Sequence, residues 1–162
     1  MSRLDSFITR MQAQRDGLNF LKEKVERLAG PILEIGLGNG RSYDHLRQIF
    51  PGRDIYVFER KVAAHPNCIP PDDRLFTGDV QESLPRAAHQ LGATAALVHT
   101  DLGTGEHEAH LAMGAWLGPC IDGLVGPGGY VYSNQPLEVA RWEQLPNPPG
   151  VPAGRYYLYR AR

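Results

Sequence analysis

Four carboxylates, Glu34, Glu59, Asp79 and Asp101, each stand at or beside the end of a short apolar run, and between the first two lie glycines at alternate positions, Gly36, Gly38 and Gly40. Glycine so spaced lets the backbone turn sharply and admits a ligand against bare main chain. The charges narrow the choice of ligand. A dinucleotide turn is written G-x-G-x-x-G, so that a helix N-terminus meets a pyrophosphate and an acidic residue about 20 positions on meets a ribose. Here the order is G-x-G-x-G, Glu34 stands two residues before the first glycine, and Arg41 occupies the place of that fingerprint's third glycine. A carboxylate beside the turn repels a pyrophosphate and favours a ligand with an ammonium or another cationic centre. An oxidoreductase site for NAD stays as an alternative.

A second group bears on reaction chemistry. Asp101 follows the apolar run that ends at Thr100, with His99 just before it and the cluster EHEAH (Glu106, His107, Glu108, His110) a few residues on. Where a nucleophile must lose a proton, a carboxylate or imidazole on that rim could take it, so Asp101 and His107 are the candidate catalytic residues. The cluster reads equally as the polar first turn of a helix, where acidic side chains suit the helix dipole. Cys68 and Cys120, with no CxxC and no Cys/His ligand spacing, offer neither a zinc site nor a disulfide framework and fit a reducing, cytoplasmic setting.

Groups this far apart in sequence meet only if the elements between them bring strand ends together. Leu4, Phe7, Ile8 and Met11 follow helical spacing, and Leu18, Leu21, Val25 and Leu28 continue it to Gly30. This predicts one or two N-terminal helices, divided near Asp16-Gly17. PILEIG reads as a buried strand, and RSYDHLRQIF as a helix that opens directly after the glycines and stops at Pro51. The alternation recurs, with strands in DIYVFER, RLFTGD, TAALVHTD and GGYVYSN and helices in QESLPRAAHQLG and EHEAHLAMGAW. Helices between apolar strands give a parallel sheet covered on both faces. After Asn134, EVARWEQL and RYYLYRAR flank the loop PNPPGVPAG and form an antiparallel hairpin. In such a sheet the ligand lies beyond the carboxyl ends of the strands, where their order reverses. A lone strand-end carboxylate is commonly a helix cap or a solvated turn residue. Four in series argue for one site.

LEIGLGNG resembles the first motif of class I S-adenosylmethionine-dependent methyltransferases, an acidic residue followed by G-x-G-x-G. Glu59, closing YVFE, is similar to the family's second acidic residue, which binds the ribose hydroxyls. TGDV, with Asp79, resembles the third motif, whose Asp accepts the adenine amino group, and HTDLG, with Asp101, stands where the fourth motif borders the methyl-acceptor pocket. The resemblance spans residues 31–162. It implies an α/β, doubly wound, Rossmann-like seven-stranded sheet of five parallel strands plus a C-terminal antiparallel hairpin, while the length suits a single domain, 1–162, whose residues 1–30 are N-terminal helices outside the family's common core. It also implies S-adenosyl-L-methionine as cofactor, held by Glu34, Gly36, Leu37, Gly38, Gly40, Glu59, Arg60, Asp79, Val80 and Asp101. In that arrangement the glycines admit the methionine part and the ribose, Glu34 orients the loop and favours the ammonium, and Asp79 with the Val80 amide reads the adenine edge. ERKVAAHPNCIPPDD leaves little room for a full second helix, a departure on the adenine side. Catechol O-methyltransferase-like enzymes place metal-binding acids and an Asn after strands 4 and 5. Asp101 and Asn134 match these, Ser133 stands in the place of a second Asp, and no metal is expected.

The methyl acceptor is expected to be a small molecule. Seventeen basic and eighteen acidic residues give a net charge of -1, with no block of like charge to serve as a nucleic-acid or membrane patch. The family's amino-methylating nucleic-acid enzymes carry Asn/Asp-Pro-Pro-aromatic after strand 4, where this chain has DLGTG. RYYLYRAR alternates as a half-buried strand does. No run of eighteen apolar residues and no export segment occurs. A homodimer, paired through the N-terminal stripe or the terminal hairpin, and a monomer both stay open, as does a cofactor-binding protein without transfer activity of its own.

Overall fold

The computed structural model describes residues 1–103 and 107–162, with the side chains of all of these except 107, 108 and 110. The chain opens with α1 (Arg3–Glu26), whose start is fixed by Ser2: its Oγ accepts from the Asp5 amide at 3.0 Å while the Asp5 carboxylate accepts from the Ser2 amide at 3.0 Å. The expected division at Asp16-Gly17 does not occur, and one helix runs through both residues. Gly17 serves a close approach instead. A Cβ there would lie 2.1 Å from the Tyr132 ring, so the missing side chain lets the helix lie flat on the sheet.

The alternation then follows: β1 (Ile32–Ile35), α2 (Arg41–Ile49), β2 (Ile55–Glu59), β3 (Leu75–Thr77), α3 (Val80–Leu91), β4 (Ala95–Thr100), α4 (His107–Asp122), β5 (Val125–Ser133), β6 (Trp142–Leu145) and β7 (Tyr157–Ala161). Between β2 and β3 there is no α-helix, only two short 3-10 turns, Pro66–Cys68 and Asp72–Arg74. The strand order is β3-β2-β1-β4-β5-β7-β6. β1 to β5 are parallel, and β7 is antiparallel to both β5 and β6.

Strand alternation sends successive side chains to opposite faces. Ile32, Val57, Leu97 and Leu158 pack with Leu18, Leu21 and Val25 of α1 and Leu46 of α2. Leu33, Phe58, Val98 and Val131 pack with Leu84 of α3 and Leu117 and Ile121 of α4. Each such fully buried side chain is worth roughly 1.5–3 kcal/mol of transfer free energy, and the two layers together fix the strand register. That register sets Glu34 beside His99 and His99 beside Tyr132, all on the α1/α2 face. A row of polar and aromatic groups therefore crosses the sheet beneath α1.

Candidate active site

The strand order reverses between β1 and β4, and the loops leaving these two strands part there. After β1 the glycine loop has positive φ at Gly36 (91°), Gly38 (51°) and Gly40 (88°), the left-handed region that costs other L residues about 1–2 kcal/mol each. The turn aims its amides at β2. Leu37 and Gly38 donate to one oxygen of Glu59 at 2.8 and 3.0 Å, and the Lys61 amide reaches the other at 3.3 Å. The His65 amide donates to the Asn39 carbonyl at 3.2 Å, so the connection that replaces a helix after β2 holds the loop from the far side.

Glu34 lies behind the loop and is fully buried. One of its oxygens accepts from Ser42 Oγ in the first turn of α2, and the other is 2.6 Å from His99 Nδ1. Burial pushes the His99 imidazole toward its neutral form, but the charge and hydrogen bond of Glu34, aided by Asp101, outweigh this and raise its pKa above the usual histidine value. The other face of the ring stacks near Tyr156, centroids 6.0 Å apart, and Tyr156 in turn stacks on Tyr132 at 4.5 Å.

α1 closes the site from above. Gln14, only 7 % exposed, donates through its amide nitrogen to the Tyr156 hydroxyl at 3.0 Å and to Asp101 Oδ2 at 3.2 Å, with His99 Nε2 3.5 Å away. Arg10, one helical turn earlier, brings its guanidinium to 3.6 Å from the same Asp101 oxygen. Asp101 Oδ1 is buried and has no partner among the described residues. Between α1, the glycine loop and Asp101 lies a cleft of about 160 Å³, walled by Arg10, Gln14, Gly36, Gly38 and Asp101. Such a cleft suits a ligand that bears a cation at one end.

The remaining expected residues fall along the same edge of the sheet. Leu37 is buried in the loop, while Arg60 and Asp79 are exposed and Val80 half-buried. Asp79 caps α3 by accepting from the Gln81 amide at 2.8 Å, and the Gly78 amide donates to the Glu59 carbonyl at 3.2 Å, which places the β3 exit next to Glu59. Asn134 donates to the Leu102 carbonyl at 2.8 Å, and the Ser133 hydroxyl donates to the Gln135 carbonyl at 2.7 Å. Glu106 and the His107 side chain lie outside the described residues. Sequence reasoning named Glu34 and His99 but not Ser42, Tyr156 or Gln14. For Gln14 a signal existed, since Met11, Gln14, Leu18, Leu21 and Val25 form a helical series in which one polar residue interrupts an apolar stripe.

A family model described as S-adenosyl-L-methionine methyltransferase matches residues 1–161, and the chain belongs to that family. It is a methyltransferase whose methyl donor is S-adenosyl-L-methionine. Its structure is similar to that of an S-adenosyl-L-methionine methyl transferase from Silicibacter pomeroyi DSS-3, with 44% identity, a TM-score of 0.95, and coverage of 100% of this chain and 99% of that one. The fold is shared with yhhF from Escherichia coli, at 13% identity, TM-score 0.64, and 93% and 86% coverage. It is shared as well with the antibiotic-resistance methyltransferase Kmr, at 14% identity, TM-score 0.53, and 87% and 90% coverage. No curated protein matches the chain. Among the described residues no helix is long and apolar enough to cross a membrane.

Proposed function

We propose that this chain moves the methyl group of S-adenosyl-L-methionine to a small-molecule acceptor, with the cofactor lying across the glycine loop. The observation that carries the reading is the cleft at the β1/β4 switch point, lined by the glycine loop and by Asp101, whose buried Oδ1 has no partner among the described residues. The cofactor fits these groups: its ammonium would satisfy Asp101 Oδ1, its ribose hydroxyls the lone pairs that Glu59 keeps beyond its loop bonds, and its adenine edge Asp79 and the Val80 amide. Arg60 borders the ribose end and Glu34 acts from behind, fixing the start of α2 through Ser42. When bound, the cofactor supplies a methyl on a sulfonium, whose in-line displacement depends on alignment. Asp101, and His107 at the start of α4, would take a proton from an acceptor that must lose one.

A small acceptor is supported by the 14% exposure of the Asp101 side chain, which α1 screens through Arg10 and Gln14. A narrow nucleophile can reach it, whereas a duplex surface cannot. The net charge of -1 also gives no counterpart for a phosphate backbone. Both cysteines are free, in keeping with a reducing cytoplasm. Titration calorimetry tests the cofactor geometry: S-adenosyl-L-methionine should bind wild type and bind Glu59→Ala about 10- to 100-fold more weakly, the value of one or two charge-assisted hydrogen bonds. Equal affinity would overturn the ribose assignment. Product S-adenosylhomocysteine should then appear with members of a small-molecule acceptor panel, and transfer confined to RNA, DNA or protein would overturn the acceptor class.

A further inference from the structure

We propose that Gln14 of α1 is a positioning residue for the cofactor's aminoacyl end, acting by holding Asp101 in place; this rests on the cofactor geometry put forward above. Asp101 follows β4 in a loop and has two oxygens with different environments. Oδ2 is held by the Gln14 amide at 3.2 Å and approached by Arg10 at 3.6 Å, while Oδ1 is buried and has no partner among the described residues. The held oxygen fixes the direction of the free one. Gln14 is itself fixed by the Tyr156 hydroxyl and by its seat in α1, and it lies 3.5 Å from Nε2 of His99, whose Nδ1 is anchored on Glu34. Gln14 therefore stands between the Glu34–His99 pair behind the glycine loop and the acid across the cleft. The amide nitrogen carries two hydrogens, one for the Tyr156 hydroxyl and one for Asp101 Oδ2.

Two probes that differ only at the aminoacyl end isolate this role. S-adenosylhomocysteine carries the ammonium and carboxylate, and methylthioadenosine keeps the nucleoside and lacks both. In calorimetric titrations, Gln14→Met, which keeps length and loses the donor, should bind S-adenosylhomocysteine at least tenfold more weakly than wild type while its affinity for methylthioadenosine changes less than twofold. Gln14→Ala, a truncation that suits a helix, should show the same split and serves if the methionine variant does not fold. Equal weakening toward both probes would assign Gln14 to structure alone, and unchanged binding of both would remove it from the site; either result overturns the proposal. Failure of the Glu59 assignment shows instead in the Glu59→Ala titration, which leaves Gln14 untouched.

Discussion

At Glu34 the sheet register places a carboxylate where no water reaches it, next to an imidazole that is equally enclosed. A buried charge without a partner costs several kcal/mol, so Glu34 and His99 depend on each other. His99 has a folded-state pKa above the usual 6.5. The protonated pair therefore adds stability that is fully present below about pH 6.5 and is lost as the pH rises through the raised value. Glu34→Gln keeps an acceptor for the ring and removes the charge. It should cost about 1.5–3 kcal/mol on the acid side, the worth of a hydrogen bond to a charged group, and flatten the alkaline decline in thermal midpoint. Melting curves for the two proteins across pH check this, and parallel declines would contradict it. The sequence placed Glu34 at the glycine turn as a ligand-facing charge. In the fold it faces inward, because position 34 alternates with Leu33 and Ile35, which point to the α3/α4 side.

Among the elements, α1 shows most clearly what a linear pattern omits. Its apolar spacing was legible, but Gly17 reads as a break when sequence is the only guide, since glycine weakens helices. The contact that explains it lies 115 positions away in β5, where Tyr132 is fully buried and its hydroxyl donates to the Ala13 carbonyl at 2.8 Å. Stacked on Tyr156, that ring has no room to move. Gly17→Ala gains roughly 1 kcal/mol of helix propensity, but its Cβ would meet the ring at 2.1 Å, and overpacking costs about 1–3 kcal/mol. We expect net destabilisation of up to about 2 kcal/mol in urea unfolding; a more stable variant would show that α1 does not lie against Tyr132 as described. The link between β2 and β3 is the converse case. ERKVAAHPNCIPPDD has too many prolines and too little periodicity for a helix, and the fold supplies only two 3-10 turns there.

For the whole molecule, strand and helix order, parallel sheet and terminal hairpin were all legible, because their signals are local runs of apolar residues and turn formers. So was the general location of the site, since a switch point follows from topology. What could not be read were the roles of Ser42 and Tyr156, and the partners of Gln14, whose meeting depends on how α1 and α2 seat on the sheet. Folding thus couples the N-terminal helix to the strand ends through buried polar groups, and the cleft at the switch point is a product of that packing. The most direct test is a crystal structure of the protein with S-adenosylhomocysteine. The ribose hydroxyls should lie within hydrogen-bond distance of Glu59, and the ammonium should meet Asp101 Oδ1 beneath Gln14 and Arg10. A nucleoside bound away from the glycine loop, or an ammonium remote from Asp101, would contradict the account.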